Sequence, residues 1–177
     1  ITYLGSTYGG CVASPKLGAR NLADLIAKAR ANPGKLTFGS SGTGSIGHIF
    51  GETFKRMAKV DMLHVPYKGA APLRQGMLGG EVDAMFESVT GNLAFLKAGT
   101  MVALGSASPD RLEPVPDLPT FREQGLDMIS ENWHGLTAPP GLPPAITNRV
   151  HQLLLALLQR KDVLEKLAVY GVFYKPM

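Results

Sequence analysis

The residues able to do chemistry gather in one stretch, Phe38-Gly39-Ser40-Ser41-Gly42-Thr43-Gly44-Ser45-Ile46-Gly47-His48. Gly42 and Gly44 permit positive φ and close approach to a bound group. Ser40, Ser41, Thr43 and Ser45 bring hydroxyls, and the helix that should open at Ser45 brings unpaired N–H groups with partial positive charge. Such a set can cradle an anion or a polar ligand, while a plainer reading makes it a Gly/Ser-rich connection whose hydroxyls only cap a helix. Gly42, Gly44 and Gly47 also spell G-x-G-x-x-G, the dinucleotide fingerprint, which raises a nucleotide-dependent enzyme as an alternative. The acid that should end the next strand is missing, because Asp61 precedes Met62–Val65 and Pro66-Tyr67-Lys68 closes that strand. No Gly-Lys-[Ser/Thr] follows the glycines, which excludes a P-loop, and no G-x-S-x-G supplies a nucleophile elbow. His48 and Glu52 share a helix face without a third metal ligand of supporting spacing, so no metal and no cofactor is expected.

The elements that position this stretch follow from the pattern of apolar residues. A strand over Thr7–Ala13 is followed by a helix capped by Asn21, with Leu22, Leu25, Ile26 and Ala29 at helical spacing and Asn32-Pro33-Gly34 as its stop. Leu36–Gly39 reads as a strand. Ser45–Met57 reads as a helix burying Ile46, Ile49, Phe50, Phe54 and Met57. Met62–Val65, Val82–Phe86 and Met101–Gly105 read as strands, with short helices at Ala71–Met77 and Asn92–Lys97 between them. This alternation predicts an α/β fold, a mostly parallel sheet flanked by helices. Pro109–Pro119 must wrap irregularly. Ile129–Ala138 looks extended, Pro139–Pro144 is a stiff break, and helices should follow at Ala145–Leu158 and Val163–Tyr170. Phe173–Met177 reads like the start of another strand. Cys11 and the methionines 57, 62, 77, 85, 101 and 128 read as packing residues and His64 as a satisfied sheet residue; Trp133, with His134, could line a cleft but reads first as packing.

Composition narrows the function classes. The chain has 177 residues, 45% hydrophobic and 18% charged, which suits a folded domain rather than a disordered segment. Its net charge of +4 favours anionic small molecules, but the basic residues are scattered and no nucleic acid is expected. One cysteine excludes an intrachain disulfide and a Cys-rich zinc module. No stretch approaches the ~20 apolar residues of a membrane span. Both ends look cut from something longer, so a missing signal sequence is uninformative.

Five blocks in order carry a resemblance. They are Asn32–Ser45 with His48, His64-Val65-Pro66-Tyr67-Lys68-Gly69, Leu78–Phe86, Pro116-Asp117-Leu118-Pro119-Thr120 with Gly125-Leu126, and Trp133–Pro139. Together they resemble the solute receptors of tripartite tricarboxylate transporters, the Bug or TctC family. The resemblance implies a periplasmic binding protein of the type II fold, two-lobed, that hands a small carboxylate to membrane permease subunits without catalysis. It further implies a fragment. Residues 1–138 would be the second lobe with both hinge-crossing strands, and 139–177 a helical part of the first lobe or hinge, the first lobe being otherwise absent. The ligand would meet Ser40, Ser41, Gly42, Thr43, Gly44, Ser45 and His48. Phe86, Glu87 and Ser88 would join from the next cleft loop, where Glu87-Ser88-Val89-Thr90-Gly91 departs from the family's Asp-Asn-x-Pro-Ser, and Tyr67 and Lys68 would edge the cleft. A regulator's effector domain is a further alternative, since that architecture also serves as a sensor. Half a site implies weak binding, and uncovered lobe surface implies self-association.

Overall fold

The computed structural model describes residues 1–174. The chain divides into two compact units, Tyr8–Ser130 and a second made of Ile1–Thr7 with 131 onward.

In the larger unit the order is β1 (Thr2–Ala13, of which Gly9–Ala13 pairs here), α1 (Leu22–Ala31), β2 (Thr37–Ser40), α2 (Ile46–Ala58), β3 (Leu63–Pro66), α3 (Ala70–Gly79), β4 (Ala84–Ser88), α4 (Leu93–Lys97) and β5 (Val102–Ser106). The sheet runs β3-β2-β4-β1-β5. β2 is parallel to both β3 and β4, whereas β1 is antiparallel to β4 and β5. The sheet is therefore mixed, with one strand reversed in an otherwise parallel set. Asn21 caps α1 as its spacing predicts, its side chain accepting from the Asp24 amide at 2.8 Å.

Strand alternation sorts the core into two faces. Cys11, Ala13, Phe38, Ala84 and Phe86 join Leu22, Leu25, Phe50 and Phe54 on one side. Val12 and Met85 join Leu73, Met77, Val82 and Met101 on the other. Cys11 is fully buried, and burial pushes its thiol far above the ordinary range, so it is an inert filler.

The face of α2 differs from the expectation. Ile46, Ile49 and Met57 are exposed, and the buried residues are Gly47, Phe50, Gly51, Phe54 and Ala58. The helix presents its glycines to the sheet because close approach leaves no room for larger side chains. A Cβ on Gly51 would stand 2.2 Å from the Phe38 ring, and one on Gly47 would stand 2.7 Å from the Phe86 carbonyl oxygen.

In the smaller unit, the first part of β1 pairs with β6 (Glu131–Leu136), and α5 (Pro144–Leu158) and α6 (Lys161–Val169) follow. Phe173 bridges Ser6 in antiparallel fashion, so the strand read at Phe173 is begun; its remainder, 175–177, lies outside the described residues. Trp133 is 65% exposed on β6, contrary to the packing role expected of it.

Candidate functional site

β2 delivers the loop and α2 receives it. Ser40, the last residue of β2, is fully buried, and its hydroxyl organises the turn. Ser40 Oγ lies 3.0 Å from the Gly42 carbonyl, accepts the Gly42 amide at 3.2 Å and meets His64 Nε2 at 2.7 Å. Gly42 and Gly44 take φ of 145° and 80°, the left-handed region their type favours. Ser45 caps α2, accepting the His48 amide at 3.3 Å. Neighbouring turns complete the anchorage, with Tyr67 N–H donating to Ser40 O at 2.9 Å and Gly69 N–H to Ser41 O at 3.0 Å.

His48 and His64 fix the loop's outer side. His48 Nδ1 accepts the Gly44 amide at 3.0 Å, which leaves Nε2 to carry the proton of the neutral ring and act as a donor. The His48 ring stacks on His64 with centroids 4.0 Å apart, and His64 stacks on Phe38 at 4.9 Å. The stack runs from the core outward to the loop. His64 is thus satisfied by Ser40, as expected of a sheet residue, and through that bond it also braces the loop.

Burial holds the His64 imidazole below its usual value, with His48 and Lys55 adding to the shift and Glu52 opposing it. As pH falls, the unfolded chain protonates this residue before the folded one does. Its contribution is therefore present above the ordinary imidazole range and lost as pH drops through the depressed value. The urea midpoint of the wild type should fall between about pH 7 and about pH 5, and His64→Gln should flatten that dependence. Equal slopes for the two proteins would show that His64 does not couple to folding.

The loop spends several of its amides internally. Gly42, Gly44, Ser45 and His48 all donate to Ser40, His48, Gly42 and Ser45 respectively. The expectation of a bend offering its amides outward is corrected to this extent. The amides of Thr43, Ile46 and Gly47 have no partner among the described residues; the last two open α2, ahead of any intrahelical acceptor. Ile46 is exposed and so is Thr43.

Glu87, at the end of β4, closes the other side of the helix start. Its Oε1 is buried without a hydrogen-bond partner and lies 3.0 Å from where a Cβ on Gly47 would stand. Burial raises its carboxyl above the usual range, against the pull of the Ser41 hydroxyl and amide and of the Arg74 guanidinium. Arg74, which no sequence motif singles out, donates to Asn92 Oδ1 at 3.1 Å.

The remaining candidates are placed less directly. Phe86 is buried among Phe38, Phe50 and Phe54, so it floors the loop from within the core. The Tyr67 hydroxyl donates to Glu81 at 2.9 Å, its own ionisation pushed up to about 12 by burial and by that carboxylate. Ser88 Oγ meets Thr90 Oγ1 at 2.9 Å and accepts the Gly91 amide at 3.2 Å, and Lys68 is exposed. Asp61 precedes β3, at the end away from the loop, where it cannot serve a ribose. No cluster of metal-binding side chains occurs among the described residues. The Thr43 amide and hydroxyl and the Ile46 amide, on exposed residues, can accept an anion together with the His48 donor, while Gly47 is buried against the sheet.

Comparison with known proteins identifies the family. The family described as tripartite tricarboxylate transporter family receptor matches residues 1–174. A protein of Pseudomonas sp. (strain P51), encoded between tcbD and tcbE, is 34% identical over 157 residues, covering 86% of this chain and 46% of its own. Protein BugT of Bordetella pertussis is 33% identical over 161 residues, covering 90% and 49%. Among solved structures, an R. palustris protein with adipate superposes with a TM-score of 0.91 at 30% identity, over 97% of this chain and 57% of that one. MatC from Rhodopseudomonas palustris with bound malate gives 0.85 at 27%, over 97% and 58%. Periplasmic binding protein BugD gives 0.85 at 27%, over 97% and 57%. The chain spans about half the length of the curated relatives it matches. It belongs to the receptor family of the tripartite tricarboxylate transporters.

Proposed function

We propose that this chain is part of an extracytoplasmic receptor that binds a small carboxylate at the β2–α2 loop and passes it, unaltered, to membrane permease subunits. The observation that carries the reading is the start of α2, where the amides of the exposed residues Thr43 and Ile46 lack partners among the described residues while His48 keeps a donor at Nε2. A buried carboxylate is tolerated only where such donors satisfy it. Solved relatives holding adipate and malate support the ligand class. Support for a periplasmic setting comes from BugD, and no helix among the described residues is long and apolar enough to cross a membrane. The receptor family supports binding rather than catalysis. The unit Tyr8–Ser130 would form one lobe of the whole receptor, with the helices after Pro144 belonging to the other lobe or the hinge.

With one side of the cleft supplied by this chain, affinity for malate or adipate should be weak, on the order of millimolar. Titration followed by amide NMR should move the resonances of Thr43, Gly44, Ile46, Gly47 and His48 in a saturable way. His48→Phe keeps a ring for the stack but removes both the Nε2 donor and the Nδ1 acceptor of the Gly44 amide, and should weaken binding by about tenfold or more. Saturable shifts confined to other residues, or none at all, would overturn the assignment.

A further inference from the structure

We infer a second binding site in the larger unit, for an amphipathic carboxylate with a medium-length aliphatic chain, at the opposite end of the sheet from the β2–α2 loop. An open groove of about 690 Å³ lies there, within the ~300–1,000 Å³ typical of small-molecule sites. Its walls are the last turn of α4, the first residues of β5 and the proline-rich run Pro114–Pro119.

Strand register separates it from the solute loop. Val102, on the groove wall, pairs with Ala13, and Ala13 pairs with Ala84 at the beginning of β4. Glu87 and Ser88 end β4, and Ser88 pairs with Gly9. The four steps from Ala84 to Ser88 amount to ~13 Å along the strand. At its other wall the groove reaches Pro119 beside Ser106, which is level with Glu87 through Gly10, and there β1, lying between β5 and β4, separates the two places.

The groove is built rather than incidental. Ser106 N–H donates to Pro119 O at 3.1 Å and Phe121 N–H to Ser106 O at 2.7 Å, which lays the end of the proline run beside β5. Arg111 Nε bonds both Glu123 oxygens at 3.0 Å while its Nη1 donates to Pro116 O at 3.2 Å. Glu123 also accepts the Thr120 amide at 2.7 Å. Prolines with fixed φ, pinned by an ion pair and the edge of the sheet, form a wall that loses little freedom when a ligand arrives. The interior is aliphatic, with Leu93, Leu96, Met101, Val115 and Leu118.

Charge at the rim selects the head group. Lys97 and Arg20 lie on it with Asp117. Arg20 is shared with Asp24 at 3.4 Å, whereas Lys97 has no ion pair among the described residues. An aliphatic chain against the leucines with a carboxylate at Lys97 satisfies both parts of the site.

Methyl NMR with decanoate tests this on the chain as it is. Saturable shifts are expected at Leu93, Leu96, Val102, Val115 and Leu118. Lys97→Glu should weaken them about tenfold, and Asp117→Asn should strengthen them. Lys97→Glu should leave the loop's response to malate unchanged. Decanol, lacking the charge, should bind more weakly than decanoate; equal binding would overturn the carboxylate assignment. Shifts confined to leucines of α5, or none that saturate, would overturn the site itself, whatever malate does at the loop.

Discussion

Phe86→Ala is expected to lower the free energy of unfolding by about 3–5 kcal/mol, the range for removing a buried aromatic ring. Phe86 is 1% exposed and sits edge-on or tilted to three other rings, Phe38 at 5.7 Å, Phe50 at 5.3 Å and Phe54 at 4.9 Å. These rings come from β2 and α2, so the cavity would open between sheet and helix and could not close without moving the helix. Since a domain holds only about 5–15 kcal/mol in all, the loss would be a large part of it. The effect would reach the site, because the Phe86 carbonyl backs Gly47 and the next residue is Glu87. Urea unfolding followed by far-ultraviolet circular dichroism should give a lower midpoint with an unchanged slope. A loss below about 1 kcal/mol would mean that the rings repack freely, against this account.

Gly51→Ala sets two effects of opposite sign against each other. Alanine within a helix is ordinarily better than glycine by about 0.5–1 kcal/mol. Here the new methyl would stand 2.2 Å from Phe38 Cε2 and 2.6 Å from Cδ2. Phe38 is fully buried, with His64 stacked on it at 4.9 Å and Phe86 set edgewise at 5.7 Å, so the ring has nowhere to withdraw. Overpacking of this kind costs about 1–3 kcal/mol, and the net result should be destabilising. Gly79→Ala is the control. It ends α3, its nearest neighbour would be Glu81 Cγ at 4.0 Å, and the substitution should be neutral or stabilising. In Gly51→Ala the displaced helix should also shift the ring resonances of His48 and His64. If Gly51→Ala proved as stable as Gly79→Ala, the close approach of α2 to β2 would not be what fixes the loop.

That approach also explains why the buried face of α2 departs from its hydropathy pattern. The elements themselves were legible, because capping residues, proline and glycine stops and apolar spacing act within a few residues of one another. Asn21 with Asp24, and the stop at Asn32-Pro33-Gly34, placed α1 on local grounds. On α2, hydropathy points to Ile46, Ile49 and Met57, yet the sheet demands the smallest side chains, so glycines take the inner face. Met57 departs from the packing role in the same way, while Met62, Met77, Met85, Met101 and Met128 are buried as expected. Strand direction was equally hidden. The alternation of strands and helices predicts a mostly parallel sheet, but nothing local shows that the reversed strand is β1, inserted between β4 and β5.

The amino-acid order by itself determined the family, the α/β character and the Gly/Ser-rich bend between a strand and a helix, since each rests on short-range pattern. Folding alone decided which donors of that bend remain free. Ser40 is tied to His64, 24 positions away, and Thr37 donates to Asp83, 46 positions away, while the Glu87 carboxylate comes to rest against Gly47 with one oxygen unpartnered. Hydrogen bonds and burial between residues so far apart depend on the register and packing of whole elements, and these form only when the chain is closed into its tertiary structure.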